Sequence, residues 1–163
     1  MALDYTKEVM KHFTHPQNLG EMKDADGIGK VGNMTCGDIM WFYIKVGTKK
    51  VKGKEVEFIK DIKFKTLGCA AAIATTSMMT VLAKGKTLDE AMKLTNADVV
   101  KGLGGLPPVK HHCSLLAEEG LGEALYHYLR SSGKQIPKSL EVKHKRATLS
   151  QKAFEGKHGC SGH

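Results

Sequence analysis

The chain changes its hydrophobic period once, at Gly68, and that switch limits what it can fold into. Upstream, Ile39–Val46 is aromatic and β-branched, and Val56–Phe64 alternates apolar with polar residues, shifting register around Ile59 and Lys60. Both patterns suit half-buried strands. The lysine-rich stretch Gly47–Gly53 between them predicts the turn of an antiparallel hairpin, and Gly29–Met34 is a candidate third strand. Downstream, Cys69–Ala83 is rich in Ala and Met and reads as a buried helix closed by Lys84-Gly85. Thr87–Glu90 fits a capping box that opens a helix through Leu94, and Thr95-Asn96 caps a shorter one to Lys101. Pro107-Pro108 then leads into a long helix, Val109–Arg130, weakened midway by Gly120 and Gly122. At the other end, residues 4–14 put Tyr5, Val9, Met10 and Phe13 near one helical face, and His15-Pro16 ends that helix. Strands before helices predict an α+β fold: a small antiparallel sheet of about three strands, helices packed on one face, an N-terminal helix and a long C-terminal helix.

At 163 residues the chain has the length of one domain, enough to bury ~70% of its unfolded surface without a disulfide scaffold. We place that domain at residues 1–133, with 134–163 as a basic tail containing Gly and Ser, partly helical or disordered. The tail carries seven basic and two acidic residues, +5 of the net +8. Such a tail can meet nucleic acid or an acidic protein surface. Its single aromatic, Phe154, offers none of the interleaved stacking that single-strand binders use, so nucleic acid is not expected as a partner. The longest apolar runs fall far short of the ~18 residues a membrane span needs, and no basic-then-apolar leader opens the chain. A soluble cytoplasmic protein without a membrane partner is expected.

Reduced thiols are then the informative feature: Cys36, Cys69, Cys113 and Cys160, with no C-x-x-C pair among them. Cys36 precedes Gly37-Asp38 where a strand begins. Cys69 follows Gly68 at a strand-to-helix junction, and Cys113 follows Lys110-His111-His112 in the first turns of the long helix. A lone cysteine is more often core packing than a ligand. Three at element boundaries, each beside Gly, His or Asp, point instead to metal chemistry. Helix N-termini favour thiolates, and Gly37 and Gly68 let backbone approach a cofactor closely. Asp38 lies two residues after Cys36, on the same side of an extended chain, unless it only caps the turn after Gly37.

Cys36-Gly-Asp38, Phe64–Ala74 around Cys69, Lys84–Ala91, and Leu106–Glu118 around Cys113 together resemble the IscU/NifU-type iron–sulfur cluster scaffold family, from about Tyr5 to Tyr128. The resemblance implies a scaffold without turnover of its own. It assembles a nascent [2Fe–2S] cluster from iron (Fe2+) and desulfurase-derived persulfide sulfur, then transfers it to acceptor apoproteins. Implied cluster ligands are Cys36, Asp38, Cys69, His112 and Cys113, with Cys113 also the persulfide acceptor. Implied partners are a cysteine desulfurase, acceptor apoproteins, and a DnaK-type chaperone with its co-chaperone, the chaperone binding Leu106, Pro107, Pro108, Val109 and Lys110. A homodimer sharing one cluster is as compatible with the sequence as a single chain.

The chemistry of the residues agrees. A [2Fe–2S] core takes four ligands and favours thiolates, so three cysteines leave one position for Asp38 or His112. A hard carboxylate on soft iron–sulfide chemistry suits a cluster that must leave. Asp38, Cys69, His112 and Cys113 also form a four-donor set for Zn2+ in the cluster-free form. Lys110, three residues before Cys113, either stabilises a thiolate or persulfide or is a solvated lysine at a helix start. His111 competes with His112 by position, and His112 is the one that fits the motif. His158, Cys160 and His163 sit among Gly and Ser with nothing to position them. A SufU-type zinc-dependent persulfide acceptor is the alternative. That branch carries an insertion before its third cysteine and lacks the chaperone segment, both unlike this chain. A Cys113–His112 hydrolase ranks last, because adjacent helical residues diverge.

Overall fold

The computed structural model describes residues 4–32 and 37–158. In chain order it contains α1 (Lys7–Thr14), β1 (Gly27–Gly32), β2 (Ile39–Val51), β3 (Lys54–Leu67), α2 (Ala70–Ala83), α3 (Leu88–Met92), α4 (Asn96–Gly102), a 3-10 turn (Pro108–Lys110), α5 (His111–Ser131) and α6 (Lys138–His158). The strands form one antiparallel sheet in the order β1-β2-β3. Because side chains alternate across a pleat, Val31, Met40, Phe42, Ile44, Ile62 and Phe64 all face inward and are buried, with α2 and α5 packed against the sheet. Lys30, Trp41 and Lys65 stand in register on the other face, with both ammonium groups within 5.7 Å of the indole centroid. The α+β architecture expected from the sequence is the one observed.

The register shift at Ile59-Lys60 is a β-bulge. Lys45 pairs with Asp61 and Val46 with Ile59, so Lys60 is the extra residue. Without it Ile59 and Ile62, three apart, would point to opposite faces; with it both are fully buried. The hairpin turn is much shorter than Gly47–Gly53. The ladder continues to Val51↔Lys54, and only Lys52 (φ +52°) and Gly53 (φ +79°) turn, as a two-residue type I′ loop requires. Exposed lysines do not interrupt a two-stranded ribbon, so composition overstated the loop. β1 begins and ends two residues before the expected Gly29–Met34, and Asn33 and Met34 lie outside the described residues.

α5 packs against β1 and β2 at backbone distance. A Cβ on Gly29 would strike the Gly120 carbonyl, and one on Gly120 would come within 2.7 Å of the Phe42 ring. Gly120 thus trades helix propensity for contact with the sheet. In α1, Val9 and His12 are the buried residues, whereas Met10 and Phe13 are 42% and 37% exposed. This departs from the expected apolar face, and Tyr5 precedes the helix, which Thr6 caps by accepting from Val9 N.

The segment after Lys134 is more ordered than its composition suggests. α6 runs for 21 residues against α5, burying Leu140 and Ala147. Lys143 Nζ lies 3.0 Å from Glu118, and His144 Nδ1 lies 2.8 Å from Glu123 while its ring stacks on Tyr126 at 3.7 Å. Arg146 acts on Glu119, whose carboxyl is held above its usual range by burial, with Arg146 opposing. The acidic surface that the basic tail meets is therefore on its own α5.

Candidate metal centre

Three junctions meet here: the start of β2, the β3–α2 connection and the first turn of α5. Asp38, directly after Gly37, is 3% exposed. Cys113 is fully buried, and its Sγ lies 3.7 Å from Asp38 Oδ2 and 3.4 Å from His112 Nε2. Donor atoms of these three residues all fall within 4.8 Å of one another. Cys69 is the N-cap residue of α2 but its side chain makes no capping bond there; its half-buried Sγ lies 4.0 Å from Cys113 Sγ. Two sulfurs, one imidazole and one carboxylate thus gather where α2 and α5 both begin, which places the positive ends of two helix dipoles beside groups that ionise to anions.

Lys110 is held by the 3-10 turn beside Cys69. The anionic form of Cys69 raises the Lys110 pKa above the usual lysine range, with smaller support from Tyr5, a hydrogen bond to Cys69 and Cys113, and burial acting against it. Spacing along the sequence associated Lys110 with Cys113; in space its main partner is Cys69. Tyr5 completes this edge. Burial pushes its phenol up, Lys110 opposes, and Cys69 and Cys113 add to the rise. No spacing rule points to Tyr5, whose position is set by Thr6 donating its hydroxyl to the Leu103 carbonyl.

The two histidines separate. His111 hydrogen-bonds through Nε2 to the Leu106 carbonyl at 2.9 Å, turned back to the preceding loop, while His112 folds toward Cys113, so His112 and Cys113 do not diverge as expected for adjacent helical residues. Within Leu106–Lys110, Leu106 is buried, Pro107 and Lys110 are half-buried, and Pro108 and Val109 are exposed. Cys36, Cys160 and His163 lie outside the described residues, and His158 is the last residue of α6.

This α+β domain brings two thiols, an imidazole and a carboxylate from three separate junctions together, and Asp38, His112 and Cys113 among them have the spacing of a metal-ligand set. Residues 4–136 match the family described as the NifU-like N-terminal domain, and the chain belongs to that family. Over 130 residues it is 52% identical to the iron–sulfur cluster assembly scaffold protein IscU 1 of Archaeoglobus fulgidus, covering 80% of each chain. Over 134 residues it is 44% identical to the scaffold protein IscU of Aquifex aeolicus, covering 82% of each. Among solved structures it is similar, with a TM-score of 0.59 and 25% identity, to a Fervidobacterium islandicum protein assigned to cluster assembly scaffolding for the SUF system; the match covers 74% of this chain and 96% of that one. Among the described residues no helix is long and apolar enough to cross a membrane.

Proposed function

We propose that this protein is a scaffold on which a nascent [2Fe–2S] cluster is assembled and from which it is passed to acceptor apoproteins. The observation that carries the reading is the gathering of Asp38, Cys69, His112 and Cys113 donor atoms around one dipole-biased site. Cys36 supplies the third thiolate, and Asp38 or His112 the fourth ligand. Sulfur arrives as a persulfide: the Cys113 thiolate attacks the outer sulfur of the desulfurase persulfide, forming Cys113–S–SH and releasing the desulfurase thiolate. Pro108, Val109 and Lys110, the accessible part of Leu106–Lys110, offer a DnaK-type chaperone its handle. In the cluster-free form the same donors suit tetrahedral Zn2+ or Fe2+.

Anaerobic reconstitution with iron and sulfide tests the reading. Sulfur-to-iron charge-transfer absorption should develop in the unaltered protein and be largely lost in Cys69→Ala and Cys113→Ala, while Cys160→Ala should reconstitute normally. Full reconstitution of Cys69→Ala would sink the site assignment. Stoichiometric zinc in the isolated protein, with no charge-transfer band after reconstitution, would favour the sulfur-relay alternative of the SufU type.

A further inference from the structure

Gly68 stands directly before Cys69, and its backbone gives no reason for a glycine: it lacks the left-handed φ of Gly37 (+72°) or Gly85 (+85°). What excludes a side chain is space. A Cβ at position 68 would lie 2.6 Å from Asp38 Oδ1, 2.9 Å from Asp38 Cγ and 2.9 Å from Ala72 Cβ. The Ala72 methyl is fixed on the first turn of α2 and is fully buried. On its other side the carboxylate meets Cys113, with Oδ2 3.7 Å from Sγ. The Asp38 carboxylate therefore lies between the bare Gly68 backbone and the Cys113 sulfur, and a side chain at position 68 would be caught between that carboxylate and the Ala72 methyl.

We infer that Gly68 is a positioning residue for Asp38: its missing side chain leaves room for the carboxylate against Cys113, and so makes Asp38 the oxygen donor to a divalent metal or iron at this site. This rests on the reading of Asp38 as a ligand. A methyl at position 68 would meet the Ala72 methyl, fixed on its helix, on one side, so the carboxylate is the group that gives way. With the carboxylate displaced, Cys69, His112 and Cys113 remain as donors and water takes the open position.

Co2+ is the probe, since its visible bands report both sulfur ligation and coordination geometry. Gly68→Ala should lower Co2+ affinity roughly 10- to 100-fold, as losses around a metal's ligands typically do. It should also shift the visible bands to those of Asp38→Ala. The double variant Gly68→Ala/Asp38→Ala should bind Co2+ no more weakly than Asp38→Ala alone, and without metal it should melt above Gly68→Ala, because removing the carboxylate makes room for the methyl. Unchanged Co2+ affinity in Gly68→Ala, or an equal loss on adding Gly68→Ala to Asp38→Ala, overturns the positioning role. So does a double variant that melts no higher than Gly68→Ala, a reading that survives poor folding of the single variant. Asp38→Ala with unaltered Co2+ affinity and spectrum overturns the donor assignment itself, and the positioning role with it.

Discussion

Cys113 and Cys69 show how two thiols of one site divide its chemistry. Cys113 is fully buried against Asp38 and His112, whereas Cys69 is half-buried beside Lys110 and Tyr5. Under the proposed function, Asp38 is an oxygen donor that soft iron–sulfide chemistry holds weakly. Asp38→Ala is therefore expected to lengthen the lifetime of a reconstituted cluster severalfold against a chelator and to slow its transfer to an acceptor. The decay of visible absorbance, with folding checked by circular dichroism, measures this, and decay as fast as in the unaltered protein would remove Asp38 from the release step. Cys69 and Cys113 stood out in the sequence because each sits at an element boundary, and Asp38 and His112 through the family motifs that contain them; that the four side chains lie together is what the structure adds. Tyr5 did not stand out, since its neighbour Thr6 is the residue tied to the fold, through a hydrogen bond to the Leu103 carbonyl 97 positions further along the chain. Nor did the pairing of Lys110 with Cys69, which only the convergence of the α2 and α5 N-termini creates.

Elements were legible wherever local pattern and tertiary demand coincide, as in the aromatic and β-branched run of β2, the alternation of β3 and the capping box of α3. They were misread where a polar residue is used inside. α1 docks on α2 through His12, whose Nδ1 lies 2.8 Å from Ser77 Oγ, itself accepting from Gln17 N at 2.8 Å. Burial lowers the His12 pKa below its usual value of 6.5, with Glu8 opposing and Lys11 assisting. The unfolded chain thus binds a proton more readily than the folded one. Stability from this site is complete above pH 6.5 and lost as pH falls through the lower folded value. Urea midpoints should accordingly drop between pH 7.5 and 5, and the drop should shrink in His12→Gln; an identical pH slope in that variant would assign it to other groups. Gly120 was read only as a weak point of the long helix. Alanine there gains about 1 kcal/mol of helix propensity but overpacks the Phe42 ring at a cost of about 1–3 kcal/mol. Gly120→Ala is expected to lower the melting temperature, and a rise would show that α5 can shift off the sheet at little cost.

At the scale of the whole molecule, α6 lies beyond the matched region and closes a seam the sequence did not announce. The buried residues described in it, Leu140 and Ala147, are seven apart, too sparse to stand out from a lysine-rich background. What seats it is complementary charge. Glu118 on α5 accepts from Asn96 N at the start of α4, at 2.8 Å, and pairs with Lys143 of α6, so one carboxylate ties three helices together. Glu123, held above its usual range mainly by burial, does the same for His144. Among the described residues the gathered metal donors come from other elements, and what α6 supplies is buried contact and charge pairing against α5. Leu140→Ala should cost about 2–5 kcal/mol, the usual range for emptying a buried leucine position. Co2+ affinity should meanwhile stay within about twofold of the unaltered protein, as expected for sites without shared partners. Both quantities come from one preparation, a urea midpoint and a cobalt titration. A tenfold loss of cobalt affinity in a protein that remains folded would show that α6 sets the position of α5, and through it the placement of His112 and Cys113.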